Sequence, residues 1–305
     1  MNLINNLIIL IKRPWKIIIR AENTPFKCFI PSKLYLTCVF KERIGRYIKW
    51  NNLRSYNEKL QWLKIYDNNP IYCSLVDKYI VKDYVSRLIG EEYVIPTIGI
   101  WETFEDIEFE TLPNEYVLKC THDSGGLVLC QDKSKFDLSS AERTLTKSLN
   151  RNYYYYGREW PYKRVKPRII AEPYLEDNKY GELRDYKFFC FNGEPRIMFV
   201  AANRQSKEKE TTFDFFDMDY NHLTIINGHP NSDIELDKPE YFELMKELAR
   251  KLSKDIPHVR IDFYEVNGRV YFGEYTFYHY SGFTPFEPEE WDYILGDMIN
   301  LPNKQ

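Results

Sequence analysis

Tyr116-Val-Leu-Lys119-Cys-Thr-His-Asp-Ser-Gly125-Gly126 is the stretch on which the reading of the chain turns. A short apolar run carries one lysine to the end of a strand, and a polar bend with two glycines follows. Glycine has no Cβ, so backbone amides near Ser124, Gly125 and Gly126 can approach an anion closely. The chain is apolar again through residues 126–130, so the segment reads as a hairpin about residues 121–125. Its two meanings are a phosphate-gripping loop, with Lys119 reaching the same phosphates, or a plain glycine-rich turn. It is neither the Gly-Lys-Ser/Thr loop that opens a helix nor the dinucleotide fingerprint.

Far downstream, Asn267-Gly268 separates two strand-like runs, residues 259–265 and 269–275, and predicts a second hairpin. Asp262 stands between Ile261 and Phe263, and Glu274 near Phe272 and Tyr275. Carboxylates among such neighbours are costly unless paired or metal-bound. Hard oxygen ligands suit Mg2+, which takes one or two carboxylates with phosphates and water. A shared metal site and a buried ion pair are both consistent with this pattern. Arg260 is close enough to face a phosphate. A phosphate loop followed by paired carboxylates points to magnesium–nucleotide chemistry.

A third hairpin is predicted at Asn192-Gly193, between residues 183–191 and 195–201. Asp185 and Lys187 share one strand face there, and Arg204 follows the return strand. These cations could neutralise transferring phosphate oxygens or simply make cross-strand salt bridges. Glu172 closes an apolar strand over residues 168–175. It could accept from an adenine amino group or ribose hydroxyls, with the backbone of Pro173, Tyr174 and Leu175 reading the base edge, or it could cap the strand at solvent. His122 and His279 flank these features without metal spacing or a Ser-His-Asp order, and a structural role is expected for each.

Helices are predicted at residues 47–65, 77–88, 138–149 (opened by Asp137 or Ser139) and 239–254, with a short one near the end. Residues 153–157, Tyr-Tyr-Tyr-Tyr-Gly, read as an aromatic loop. The six cysteines form no Cys-x-x-Cys pair, which argues against zinc or a disulfide scaffold and for reduced thiols in a cytoplasmic setting. The 25 tyrosines supply amphipathic surface of a kind that suits sugars, or ordinary core packing.

The net charge of −3 hides an asymmetry: residues 1–54 carry eleven Lys/Arg against Glu22 and Glu42, a balance of +9 that leaves −12 for the rest. The apolar run 7–11 is far too short to span a bilayer and lacks a secretory cleavage pattern. Residues 1–20 interleave isoleucines with cations, so they could lie on an anionic inner-membrane surface or dock on the core with the basic side solvated. No recognition motif accompanies the charge, and nucleic acid is not an expected partner.

In order along the chain, several short runs resemble the TupA-like branch of the ATP-grasp superfamily, found with polysaccharide and teichuronopeptide biosynthesis. They are Asp77-Lys78 with Lys82-Asp83-Tyr84-Val85, Val117-Leu118-Lys119 through Ser124-Gly125-Gly126, Ile170-Ala171-Glu172-Pro173-Tyr174-Leu175, Leu183-Arg184-Asp185-Tyr186-Lys187-Phe188, Arg260-Ile261-Asp262-Phe263-Tyr264 and Gly273-Glu274-Tyr275-Thr276. Together they cover roughly residues 75–285. The resemblance implies an α/β (α+β) fold in which antiparallel sheets clamp a nucleotide, with a short basic helical region in front. The implied divisions are 1–74, a reduced segment 75–112, a lid 113–175 and a core 176–305.

It also implies ATP and Mg2+ as cofactors. Lys119 and Lys187 would contact phosphates, Glu172 would sit at the adenine and ribose hinge, and Asp262 and Glu274 would hold the metal. Arg260 would face the phosphoryl group or an acyl phosphate. Thr276 stands where many members have asparagine, which leaves a weaker third ligand. The implied reaction is ATP-dependent joining of a carboxylate, such as a uronic acid on a surface glycan or its lipid-linked precursor, to an amine or amino acid. A sugar kinase, a glycosyltransferase and a non-catalytic binding module are the alternatives.

Overall fold

The computed structural model describes residues 13–22, 24–204, 206 and 210–303. Two antiparallel sheets organise it. The smaller has four strands in the order β1-β4-β2-β3, with β1 Gly99–Trp101, β2 Tyr116–Cys120, β3 Leu127–Cys130 and β4 Ile169–Pro173. The larger has six in the order β10-β9-β5-β6-β7-β8: β5 Asp185–Phe191, β6 Glu194–Ala202, β7 Thr212–Asp217, β8 His222–Leu223, β9 His258–Val266 and β10 Arg269–Thr276. The three predicted hairpins are β2–β3, β5–β6 and β9–β10. Strand β1 comes from the 75–112 segment and pairs with β4.

Nine α-helices are described: α1 Trp15–Ala21, α2 Ser32–Ile44, α3 Tyr56–Tyr66, α4 Tyr72–Val76, α5 Ile80–Ile89, α6 Leu138–Leu149, α7 Tyr154–Gly157, α8 Phe242–Leu252 and α9 Glu290–Asp297. Helix α6 starts where Asp137 accepts from the Ser140 amide (2.9 Å) and buries Ala141 and Leu145 on the small sheet. Helix α8 buries Phe242, Met245, Leu248, Ala249 and Leu252 along one stripe against the β6–β5–β9 face that carries Phe188, Ile261 and Phe263. Each fully buried Phe, Met, Leu or Ile among these contributes about 1.5–3 kcal/mol.

Two expectations differ from the structure by more than the few terminal residues seen at the other helices. The helix expected over 47–65 begins at Tyr56, because Ser55 and Glu58 form a reciprocal capping box. Arg46 adds a 2.5 Å ion pair to the same Glu58 carboxylate, which ties down the preceding segment as a loop. Within residues 153–157, expected as a loop, Tyr154–Gly157 form the helical turn α7. Arg158 anchors it, lying buried against the Tyr35, Tyr154 and Tyr155 rings and pairing with Glu22 at 2.8 Å.

The amino-terminal region is described only from residue 13, so the apolar run 7–11 lies outside the described residues. In α1, Ile18 and Ile19 pack with Tyr35, Leu36 and Val39 of α2, while Ile17 is exposed. Among the described residues no helix is long and apolar enough to cross a membrane.

Candidate functional site

The large sheet brings most of the anticipated residues onto one face. Lys187 on β5 is in register with Asp262 on the central β9, and Asp262 with Glu274 on β10. Directly opposed residues share a sheet face, so these three form a row across the strands. Arg260 and Thr276 form the next row. Glu274 reaches this face because β10 carries one extra residue between Phe272 and Glu274. The extra residue is Gly273, and the bulge lets Phe272 point into the core while Glu274 points to Asp262.

The row is a dense charge network. Lys187 Nζ donates to Asp262 Oδ2 at 2.5 Å. The Arg260 guanidinium embraces the same carboxylate, Nε to Oδ1 and Nη2 to Oδ2, both at 2.7 Å. Nη2 also reaches Thr276 Oγ1 at 3.0 Å and Glu274 Oε1 at 3.4 Å. Burial alone would raise the Asp262 pKa, but the Arg260 and Lys187 charges hold it well below the carboxylate range. Burial lowers Lys187, against the opposing pull of Asp262. The Glu274 side chain keeps 40% of its surface exposed, so it is the open member of the set. Asp185, one row further along, pairs with Arg204 and lies 3.4 Å from Lys187; its Oδ1 is buried with no partner.

His279 takes a supporting role. Arg260 Nη1 lies 2.6 Å from His279 Nδ1, and guanidinium can only donate, so Nδ1 is the acceptor and the ring proton sits on Nε2. Nε2 then donates to Asn227 Oδ1 at 2.8 Å. Burial, with Arg260 beside it, pushes the imidazole well below its usual range. It is a neutral strut that orients Arg260. His122 is also structural: it is buried, Nε2 lies 3.1 Å from the Ser148 and Arg151 carbonyls at the end of α6, and burial lowers its pKa.

On the small sheet a second cluster forms around Glu172, which is buried and not a solvent-facing cap. Lys119 Nζ lies 2.6 Å from Oε2, and Lys82 Nζ from α5 lies 2.6 Å from Oε1. Lys82 also donates to the Ile95 carbonyl and Thr97 Oγ1, each at 2.8 Å. Burial would raise Glu172, but the two ammonium groups hold it low. Lys82, in the Lys82-Asp83-Tyr84-Val85 run, carries no role on sequence grounds. The signal was its place beside the Val81/Val85 stripe, which the structure buries. Tyr174 and Leu175 lie past the end of β4, and the Tyr174 hydroxyl accepts from Gln131 Nε2 at 2.6 Å.

The bend at 121–126 is braced from below. Asp123 accepts from the Gly126 amide at 3.3 Å, pairs with Arg151 at 2.6 Å and is bonded to Ser148 Oγ. The Gly126 amide is thus engaged by Asp123 in this structure. The glycines also differ in kind. Gly125 sits at φ +128°, whereas a Cβ on Gly126 would stand 2.8 Å from Cys120 Sγ.

No hydrogen bond or ion pair links the two clusters among the described residues, and Tyr264 is within electrostatic reach of both. It is two residues beyond Asp262 on the same strand face. Burial raises its phenol, Arg204 opposes this, and the carboxylates Glu274, Asp262 and Glu172 all act on it. Among the described residues no group of three or more His, Cys, Asp or Glu side chains is arranged to hold a metal. Asp262 and Glu274 offer two hard oxygen donors with the Thr276 hydroxyl alongside. That fits a magnesium ion completed by phosphates and water, but not a metal held by protein ligands alone.

Three solved structures show the level of structural similarity. The D-alanine–D-alanine ligase of Bacillus anthracis complexed with ATP aligns with a TM-score of 0.41 and 17% identity, over 67% of this chain and 55% of that one. The Helicobacter pylori D-alanine–D-alanine ligase aligns at 0.40 and 13%, over 73% and 63%. The ATP-grasp ligase PsnB, complexed with minimal precursor, Mg and ADP, aligns at 0.37 and 10%, over 72% and 57%. This chain thus spans less than two thirds of the length of each. No curated protein gave a match. The model of the TupA-like ATP-grasp family matches residues 58–300, which include both clusters, and the chain belongs to that family.

Proposed function

We propose that the chain is an ATP- and magnesium-dependent ligase that activates a carboxylate and joins it to an amine. The observation that carries this is the Lys187–Asp262–Glu274 row with Arg260 at its side, together with the Lys82–Glu172–Lys119 cluster, Tyr264 being within electrostatic reach of both. Lys119 and Lys82 hold the polyphosphate from the small sheet. Glu172, with both oxygens engaged by lysines, anchors them, so the base edge is left to the backbone of Pro173, Tyr174 and Leu175.

Asp262, Glu274 and Thr276 would hold Mg2+, which when bound neutralises charge on the transferring phosphoryl group. Lys187 and Arg260 supply fixed positive charge at the same place, and Arg204 extends it. In the first step a substrate carboxylate oxygen attacks the γ-phosphorus and ADP leaves. In the second the amine nitrogen attacks the acyl carbon, phosphate leaves, and the nitrogen gives up a proton to solvent. His279 is too depressed in pKa to be the acceptor of that proton at neutral pH.

For the substrate we favour a uronic acid of a surface glycan or its lipid-linked precursor, with an amino acid as the amine. The resemblance to polysaccharide-associated relatives and the basic amino-terminal region support it. The test is product mass analysis after incubation with Mg-ATP, candidate uronic acids and amino acids, with hydroxylamine as a trap. ADP with a new amide or a hydroxamate is expected. A stable phosphosugar would replace ligation by kinase chemistry, and consumption of a sugar nucleotide would replace it by glycosyl transfer.

A further inference from the structure

The turn Pro25–Phe29 between α1 and α2 is a 3-10 helix. Residues three apart eclipse in that geometry, so Phe26 and Phe29 lie one above the other on a single side. Both point away from the protein, 68% and 80% exposed. Pro25, Cys28, Pro31 and Leu34 around them are exposed as well. A contiguous apolar projection of this kind marks an interaction surface.

Its electrostatic setting selects the partner. Residues 13–54 hold ten Lys/Arg against Glu22 and Glu42. Both acids are already neutralised: Glu42 by Lys16 at 2.9 Å and Arg13 at 3.4 Å, and Glu22 by Arg158 at 2.8 Å. Lys33, on the first turn of α2, and Arg43, on its last, are exposed. The sequence immediately upstream, residues 7–12, adds an apolar run ending in Lys12. An apolar knob in a positive field with no unpaired acid matches a bilayer that carries negative headgroups over an apolar interior.

We infer that Phe26 and Phe29 form a wedge that docks the protein on an anionic phospholipid surface. The inference stands apart from the ligase reading, since it uses none of the residues of either charge cluster. It also moves the expected contact from residues 1–20 to the turn that follows α1. Arg158 ties this region to α7, which Tyr153 precedes and which is followed by Tyr162, the two half-buried rings packing edge to face with centroids 4.9 Å apart.

The test is sedimentation of the full chain with vesicles of phosphatidylglycerol and phosphatidylcholine, against phosphatidylcholine alone. Binding at least about tenfold tighter to the anionic vesicles is expected, weakening as salt screens the charge. The double substitution Phe26→Ser/Phe29→Ser should abolish most of it while leaving the melting temperature unchanged, because neither ring is buried. Phe26→Trp should add fluorescence that brominated lipid quenches. Equal binding to neutral vesicles, unaltered binding by the serine variant, or no quenching would overturn the inference. So would a chain that dimerises through these phenylalanines and ignores vesicles.

Discussion

Glu274 stands directly opposite Asp262 across β9 and β10, and it does so only because Gly273 adds a residue to β10. Without the bulge, Glu274 would oppose Ile261 and face the α8 side. The two carboxylates are nevertheless unequal. Asp262 is fully enclosed by Arg260 and Lys187, while Glu274 touches Arg260 at 3.4 Å and remains partly exposed.

That inequality separates two substitutions of the same kind. Asp262→Asn leaves two buried cations without their carboxylate and should cost about 3–5 kcal/mol of stability. Glu274→Gln removes a half-exposed charge and should cost less than about 1 kcal/mol, yet it should lower magnesium-dependent nucleotide affinity at least about tenfold. Urea unfolding and calorimetry with Mg-ATP, then with ATP and chelator, separate the effects. Equal stability losses in the two variants would contradict the asymmetry.

Lys82 and Lys119 share Glu172, so either one should affect the other through that carboxylate. Lys82→Met and Lys119→Met should each weaken nucleotide binding by about tenfold, roughly 1.4 kcal/mol. The acid limb offers a second readout. Glu172 has a folded pKa below its unfolded value near 4.5, so its contribution is complete above that pH and is lost as pH falls toward the folded value. Removing one lysine raises the folded pKa, and the acid loss of stability in Lys82→Met should begin at higher pH than in the parent. Denaturation midpoints between pH 3 and pH 6 measure it.

The hairpins, α6 and α8 could be read in advance because local signals decide them. Asn-Gly turns adopt the required positive φ, seen at Asn192 and Gly193 and again at Asn267 and Gly268, and Asp137 caps α6 as its position suggests. The individual site residues were legible for the same reason, since polar groups in apolar strands stand out. Their partners were not. Lys82 reaches Glu172 from a helix 90 residues away, and no local pattern encodes that meeting. The Gly273 bulge was signalled by an isolated glycine in a strand, but its consequence depends on the register with β9. The late start of α3 depends on Arg46 and Ser55 engaging the Glu58 carboxylate together, an arrangement that periodicity does not register.

The glycines of the bend give a third test. Gly125 lies at φ +128°, and a Cβ there would meet only Arg151 Nη2, at 3.7 Å. Gly125→Ala therefore costs backbone strain, about 1–3 kcal/mol, without a packing clash. Gly126 has ordinary φ, but a Cβ there would overlap Ser148 Oγ first and then stand 2.7 Å from Cys120 Cβ. The double change Gly126→Ala/Ser148→Ala should thus recover part of the stability that Gly126→Ala loses, whereas Ser148→Ala should not rescue Gly125→Ala. Thermal melts of the five proteins decide it.

Lys64 offers the clearest pH signature outside the two clusters. It is buried in α3, donates to Ser281 O at 2.7 Å and Ser281 Oγ at 2.8 Å, and has the Phe283 ring 4.4 Å away. It thereby holds the turn Tyr280–Ser281–Gly282, three residues at positive φ that follow His279. Burial lowers its pKa from 10.5 to about 7, opposed by Glu159. Between about pH 7 and pH 10 the unfolded chain keeps a proton that the folded chain has released, so stability rises with pH through this window, by up to about 1.4 kcal/mol per unit. Glu159, raised by burial, acts with the opposite sign but begins above pH 4.5, so the alkaline half of the window reports Lys64. Lys64→Met should remove that slope relative to the parent. It should also free the turn behind His279, so that weaker orientation of Arg260 lowers turnover more than it changes ATP affinity. Parallel slopes in the two proteins between pH 7 and pH 10 would show that Lys64 stays charged in the fold.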